Sequence, residues 1–177
     1  MIWPVLAGEA PWRFAIGPTG EAAAILLLCA LSLSPLRMLF PRVPLVLRLL
    51  RRRRDIGLAA FFYAVLHLVF FVLAIGRLDH IVQGLAWASM WTGWLAFALM
   101  LVPAAISSDR AMRRLGLLWK RLQRLVHAVA LLVLCHWLLL ARAPFDALIW
   151  FAPLAALQLA RLGLIAYARH AERETER

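Results

Sequence analysis

Histidine can ligate a metal or carry a proton near neutral pH, and two of the five histidines in this chain stand inside long apolar runs. His67 falls in Tyr63-Ala64-Val65-Leu66-His67-Leu68, and His136 falls in Leu134-Cys135-His136-Trp137. A polar group in an apolar medium is expensive unless something partners it. Read as helices, the two runs place His67 11 residues beyond Ile56 and His136 12 residues beyond Arg124. At about 1.5 Å per residue these are depths of about 16 and 18 Å. Both imidazoles therefore sit at one depth on helices that run in the same direction. Two neutral imidazoles so matched suit axial ligation of a haem iron, with the macrocycle lying between the helices. The alternative is that each one hydrogen-bonds across a helix interface. The other histidines are weaker candidates. His127 is nine residues before His136, on the opposite helix face and near a basic end. His80, beside Asp79, and His170, in a charged tail, read as solvated. Cys29 and Cys135 lie in apolar runs without metal-ligand spacing, and no disulfide is expected.

The elements that must hold these groups follow from composition. Of 177 residues, 64% are hydrophobic and 16% charged, with a mean hydropathy of +0.81. A soluble chain is nearer 45–50% apolar, and a fold of this size has no interior large enough for the excess. An integral membrane protein is expected, and the same numbers exclude disorder, collagen-like repeats and a disulfide scaffold. Five segments reach the roughly 20 apolar residues a spanning helix needs. They run approximately Glu21–Phe40, Ile56–Gly76, Ile81–Ile106 and Leu122–Ala141, with a fifth from Pro144 to between Arg161 and Tyr167. The runs are continuous rather than alternating, so the fold class is an all-α membrane bundle and not a barrel.

Residues 1–20, with Glu9, Pro4, Pro11, Pro18 and several glycines, read as an irregular surface segment. They lack the basic start and apolar core of a signal peptide, and Trp3 and Trp12 suit the headgroup level. Residues 21–168 then form the five-helix, haem-binding transmembrane domain, and residues 169–177 a charged cytoplasmic tail. No internal repeat is visible.

The basic residues orient the bundle. The link after span one holds Arg37, Arg42, Arg48 and Arg51 to Arg54, and the link after span three holds Arg110, Arg113, Arg114, Lys120, Arg121 and Arg124. Arg161, Arg169, Arg173 and Arg177 fall on the same side, against only Arg13, Arg77 and Arg142 opposite. Cytoplasmic loops are the basic ones, which places the N-terminus outside and the C-terminus inside. This asymmetry accounts for most of the net charge of +11 without a nucleic-acid partner. The Arg51–Arg54 run reads as a topology anchor against lipid phosphates.

Other chemistries find no support. There is no Walker loop, no glycine-rich dinucleotide fingerprint and no His-Glu-x-x-His pair. Asp55, Asp79, Asp109 and Asp146 all lie near span ends, which argues against a proton-coupled transporter. Pro103 and Pro153 offer kinks and Gly93 offers close helix packing, without specifying either.

Several short stretches, taken in order, resemble one known family. They are Ser34-Pro35-Leu36-Arg37; Arg53-Arg54-Asp55-Ile56-Gly57-Leu58 with Tyr63-Ala64 and Leu66-His67; and Arg113-Arg114-Leu115-Gly116, Trp119 and Leu122-Gln123-Arg124-Leu125-Val126 with His136-Trp137. The chain from about Pro18 to Arg161 is similar to the haem-binding membrane subunit of the bacterial protein-methionine-sulfoxide reductase system, the MsrQ or YedZ type, in the ferric-reductase-like transmembrane group. The resemblance implies b-type haem held in an inner-membrane bundle. It implies electrons drawn from a quinol or a cytoplasmic flavin reductase and passed to a periplasmic molybdenum enzyme. FMN enters as a further cofactor through the resemblance alone.

Within the resemblance, Arg53 matches a family arginine near a haem and would pair a propionate. The family pattern has a ligand-type His where this chain has Gln123, and a Tyr where it has His127. Positions 123 and 127 share a helix face. Either His127 takes over an inner role or the inner site is lost; one haem on His67 and His136 is expected, with Arg53, Gln123 and His127 forming a polar cluster near the cytoplasmic face rather than a second full bis-histidine site. The family's additional N-terminal span is expected to be missing. These departures leave an alternative function, a structural or assembly subunit of a larger membrane complex that keeps the fold without electron transfer.

Overall fold

The computed structural model describes residues 3–140 and 144–175. Ten helices account for its regular structure: α1 (Trp3–Leu6), α2 (Arg13–Leu39), α3 (Pro44–Arg51), α4 (Arg53–Ile75), α5 (Leu78–Gly84), α6 (Ala88–Ala105), α7 (Asp109–Leu115), α8 (Leu117–Gln123), α9 (Leu125–Leu140) and α10 (Pro144–Thr175). Five segments are long and apolar enough to cross a membrane: α2, α4, α6, the α8–α9 stretch Leu117–Leu140, and Phe145–Ala168 of α10. The all-α class and the five membrane-length helices agree with the sequence reading.

The element boundaries differ in ways that matter for the site. α2 begins at Arg13 rather than Glu21, and α1 precedes it, so residues 1–20 are not irregular throughout. The glycines and Pro18 argued for a loop. They are tolerated in the first turns of α2 because buried packing holds that end in place. Ala15 is buried with Val5 and Phe70, and Trp12 stacks on Phe70 at 6.0 Å between ring centres. Membrane helices accept Gly and Pro where neighbours re-satisfy the backbone.

The run from Ile81 to Ile106 is not one helix. Leu85, Ala86 and Trp87 turn back onto the carbonyls of Val82, Gln83 and Gly84, and α6 starts only after Trp87. α5 therefore separates as a short helix with no buried residues. α10 continues as helix through the charged tail to Thr175. Ala141, Arg142, Arg177 and the side chain of Arg169 lie outside the described residues.

α2 packs along α4, and α6 packs along α9; α10 contacts both α2 and α9. The core they share contains Leu27, Leu28 and Leu31 of α2, Ala60 of α4, Met100 of α6, Val129 and Ala130 of α9, and Phe151 and Leu154 of α10. Outward-facing Phe62, Leu66, Leu95, Leu131 and Leu159 are exposed, which suits side chains whose solvent is lipid. At the arginine-rich end, Arg54 of α4 pairs with Asp109 of α7.

Candidate functional site

Ala60 and Val129 are fully buried where α4 and α9 enter the core. Seven residues further along each helix, two turns on the same face, stand His67 and His136. Their ring centroids are 6.4 Å apart and their planes lie 87° to each other. Matched depth on two co-directional helices thus brings the imidazoles together.

Each imidazole is held through one nitrogen. His67 Nδ1 is 2.9 Å from the carbonyl oxygen of Ile16, and His136 Nδ1 is 2.5 Å from that of Ser89. A carbonyl can only accept, so in each neutral ring Nδ1 carries the hydrogen and donates it. Nε2 keeps its lone pair. A backbone carbonyl on one ring nitrogen is the support that orients a metal-ligating histidine and settles its tautomer.

The helices that supply those carbonyls carry glycine at the next turn. A Cβ added at Gly20 would stand 2.8 Å from His67 Nδ1, and one at Gly93 would stand 2.7 Å from His136 Cε1. Ile16 and Gly20 are four apart, as are Ser89 and Gly93. Because a helical Cβ leans toward the N-terminus, a side chain at the later position would cover the carbonyl at the earlier one. Glycine is what lets the ring reach it.

The cavity between the helices has a volume of about 450 Å³, within the usual range for small-molecule and cofactor sites. Both histidines line it, with Phe71, Trp94, Phe97 and Trp137 among largely apolar neighbours. Among the described residues no group of three or more His, Cys, Asp or Glu side chains could cage a bare metal ion. Two imidazoles are too few for a structural metal that needs four protein ligands. They are enough for an iron already held in a planar macrocycle. The ring centroids, 6.4 Å apart, would leave room for one metal atom with a bond of about 2 Å to each imidazole.

The other candidate residues are placed elsewhere. Arg53, Gln123 and His127 do not line this cavity. Arg53 Nη1 donates to Ser34 Oγ at 2.7 Å. Fourteen residues of α4 separate it from His67, about 21 Å along the axis. Gln123 Nε2 donates to the Pro103 carbonyl at 3.2 Å. Exposed His127 bonds back to the Arg124 carbonyl of its own helix at 3.1 Å. No hydrogen bond joins any two of these three. His80 and His170 are exposed and face Asp79 and Glu174.

Sequence reasoning missed Ile16, Gly20 and Ser89, and assigned Gly93 only to packing. A signal was present. Ala15 to Gly20 and Ala88 to Gly93 both read Ala-x-x-x-Thr-Gly, so an internal repeat does exist. It is six residues long and visible only once the histidines show what it touches.

Five membrane-length helices around an apolar cavity lined by two histidines define a multi-pass membrane protein. No family model and no solved structure matches the chain. Its sequence relatives do identify it. A protein-methionine-sulfoxide reductase heme-binding subunit MsrQ from Rhodospirillum rubrum is 38% identical over 156 residues, covering 80% of this chain and 68% of the relative. Proteins of the same name from Ralstonia nicotianae and Pectobacterium carotovorum are 37% and 33% identical, covering 73% and 78% of this chain and 60% and 72% of theirs. The chain belongs to the MsrQ family.

Proposed function

We propose that this protein holds one b-type haem between His67 and His136 and carries electrons across the bacterial inner membrane to a methionine sulfoxide reductase. The observation that carries the reading is the pairing of two carbonyl-anchored imidazoles, each with Nε2 free, on one apolar cavity. When bound, haem supplies a one-electron iron couple. The chain's residues do the rest. His67 and His136 ligate as neutral rings. The carbonyls of Ile16 and Ser89 settle which nitrogen does so. Phe71, Trp94, Phe97 and Trp137 exclude water, and this dry surround acts on the potential. The names of the relatives, heme-binding subunits of a methionine sulfoxide reductase system, support the same assignment.

The arginine-rich links would face the cytoplasm, with the N-terminus outside. The histidine pair lies nearer the opposite end, eight residues from the end of α4 and four from the end of α9. That position favours delivery to a periplasmic partner, a molybdenum enzyme by the family resemblance, from a quinol or a cytoplasmic flavin reductase on the basic side. The same resemblance leaves FMN as a carrier at that side.

The purified protein should show the reduced-minus-oxidised spectrum of low-spin, six-coordinate haem b at one haem per chain. His67→Ala and His136→Ala should each abolish it while membrane insertion persists. A normal low-spin haem in both variants, or two haems per wild-type chain, would overturn the assignment. A wild-type protein that takes up no haem would favour the structural-subunit alternative.

A further inference from the structure

Thr19 and Thr92 are the buried polar residues of the described chain, 0% and 4% exposed. Each stands three residues after the carbonyl that holds a histidine. Thr19 Oγ1 is 3.0 Å from the Ile16 carbonyl oxygen and 2.6 Å from that of Ala15. Thr92 Oγ1 is 2.9 Å from the Ser89 carbonyl oxygen and 2.8 Å from that of Ala88. A lone helical threonine commonly bonds back to such carbonyls. Here the arrangement occurs twice, 73 residues apart, in the same order each time: Ala, the histidine-binding carbonyl, Thr, Gly.

The geometry points to a duplicated brace, with segments 15–20 and 88–93 as its two copies and Thr19 and Thr92 as positioning residues that act on His67 and His136 through the shared carbonyls of Ile16 and Ser89. Glycine opens the carbonyl to the ring. The one hydroxyl hydrogen of each threonine is shared between two carbonyls, the shorter contact going to the alanine, and so draws in part on the oxygen that accepts from the imidazole. That competition weakens the Nδ1–H bond and leaves the imidazole a poorer electron donor to a metal on Nε2. A poorer donor favours the reduced metal and raises the potential. The two copies also hold the rings crossed at 87°. Rings held crossed in this way would act equally on the two d orbitals of a bound iron that parallel rings would split.

The inference rests on the haem reading, and the test keeps the two apart. His67→Ala and His136→Ala measure the haem reading; Thr19→Val and Thr92→Val, with Thr→Ser at each site, measure the brace. Wild-type ferric protein should give the highly anisotropic low-spin electron paramagnetic resonance signal of crossed imidazoles. Each Thr→Val variant should reduce that anisotropy. Each should also shift the oxidised-to-reduced ratio at a fixed ambient potential three- to tenfold toward oxidised haem, about 30–60 mV for a one-electron couple. Thr→Ser should restore both readouts. If Thr→Val prevents haem uptake, rescue by Thr→Ser supports the brace and failure of rescue overturns it. Unchanged potential and anisotropy at wild-type haem content overturn it outright, even where both histidine variants lose haem.

Discussion

His67 and Gln123 are each bonded to a main-chain carbonyl of a neighbouring helix, of Ile16 and of Pro103, yet only the histidine lines the cavity. The difference lies in where each carbonyl sits. Ile16 is in the first turns of α2, and glycine at position 20 exposes it to an approaching ring. Pro103 is in the last turn of α6, where carbonyls lose their helical donors. Its oxygen accepts from Ser107 Oγ at 2.6 Å and from Gln123, while Trp119 Nε1 donates to the Ile106 carbonyl at 3.1 Å. Trp119 and Gln123, four apart on α8, thus cap α6 from outside. At the arginine-rich end, polar side chains complete helix ends. At the other end, they are aimed at a shared cavity.

The sharpest way to break this contrast is to crowd the rings. Gly20→Val and Gly93→Val should each lower haem occupancy at least tenfold, because an added Cβ meets a rigid ring rather than a flexible tip. Gly57→Ala and Gly163→Ala, with nothing within 4 Å of the added atom, should leave occupancy unchanged. Haem absorbance per purified chain reads both.

A smaller effect should appear at the basic end. Gln123→Ala removes one of two donors to the Pro103 oxygen and should lower unfolding stability by about 1 kcal/mol, with the haem spectrum unaltered. A lost or altered low-spin spectrum in Gln123→Ala would make Gln123 part of the ligand site and erase the contrast. His127→Ala should leave the spectrum intact, since that ring is exposed and bonded within its own helix.

The smallest effect belongs to the exposed link after α4. The Arg77 guanidinium, 2.7 Å from Asp79, holds that carboxyl below its usual range. A depressed carboxylate stabilises the fold above its unfolded pKa and loses that contribution as pH falls through the lower folded value. Between pH 6 and 8 that contribution is present in full but small, the pair being exposed and screened, so Asp79→Asn should leave thermal stability there within error of wild type. A drop there comparable to that of Gln123→Ala would show that the link carries more of the fold than its exposure suggests.

Sequence alone determined the solvent of this protein, the number of long helices and the depth of the two histidines. Hydrocarbon imposes span length and the expense of buried imidazole on the composition itself, so these features are local and countable. It also carried the family, through short stretches spread along most of the chain. It did not determine where α2 begins, because Gly17, Pro18 and Gly20 weaken a helix in isolation and only the packing of Ala15 and Trp12 against Phe70 outweighs them. Nor did it distinguish Gln123 from a group in the site, since the Pro103 carbonyl lies 20 residues away in the chain and reaches it only when α8 comes beside α6. The partners of the two imidazoles, 51 and 47 residues distant, were decided by tertiary structure for the same physical reason. A backbone carbonyl has no residue identity to read, and it becomes part of a site only where helix packing exposes it.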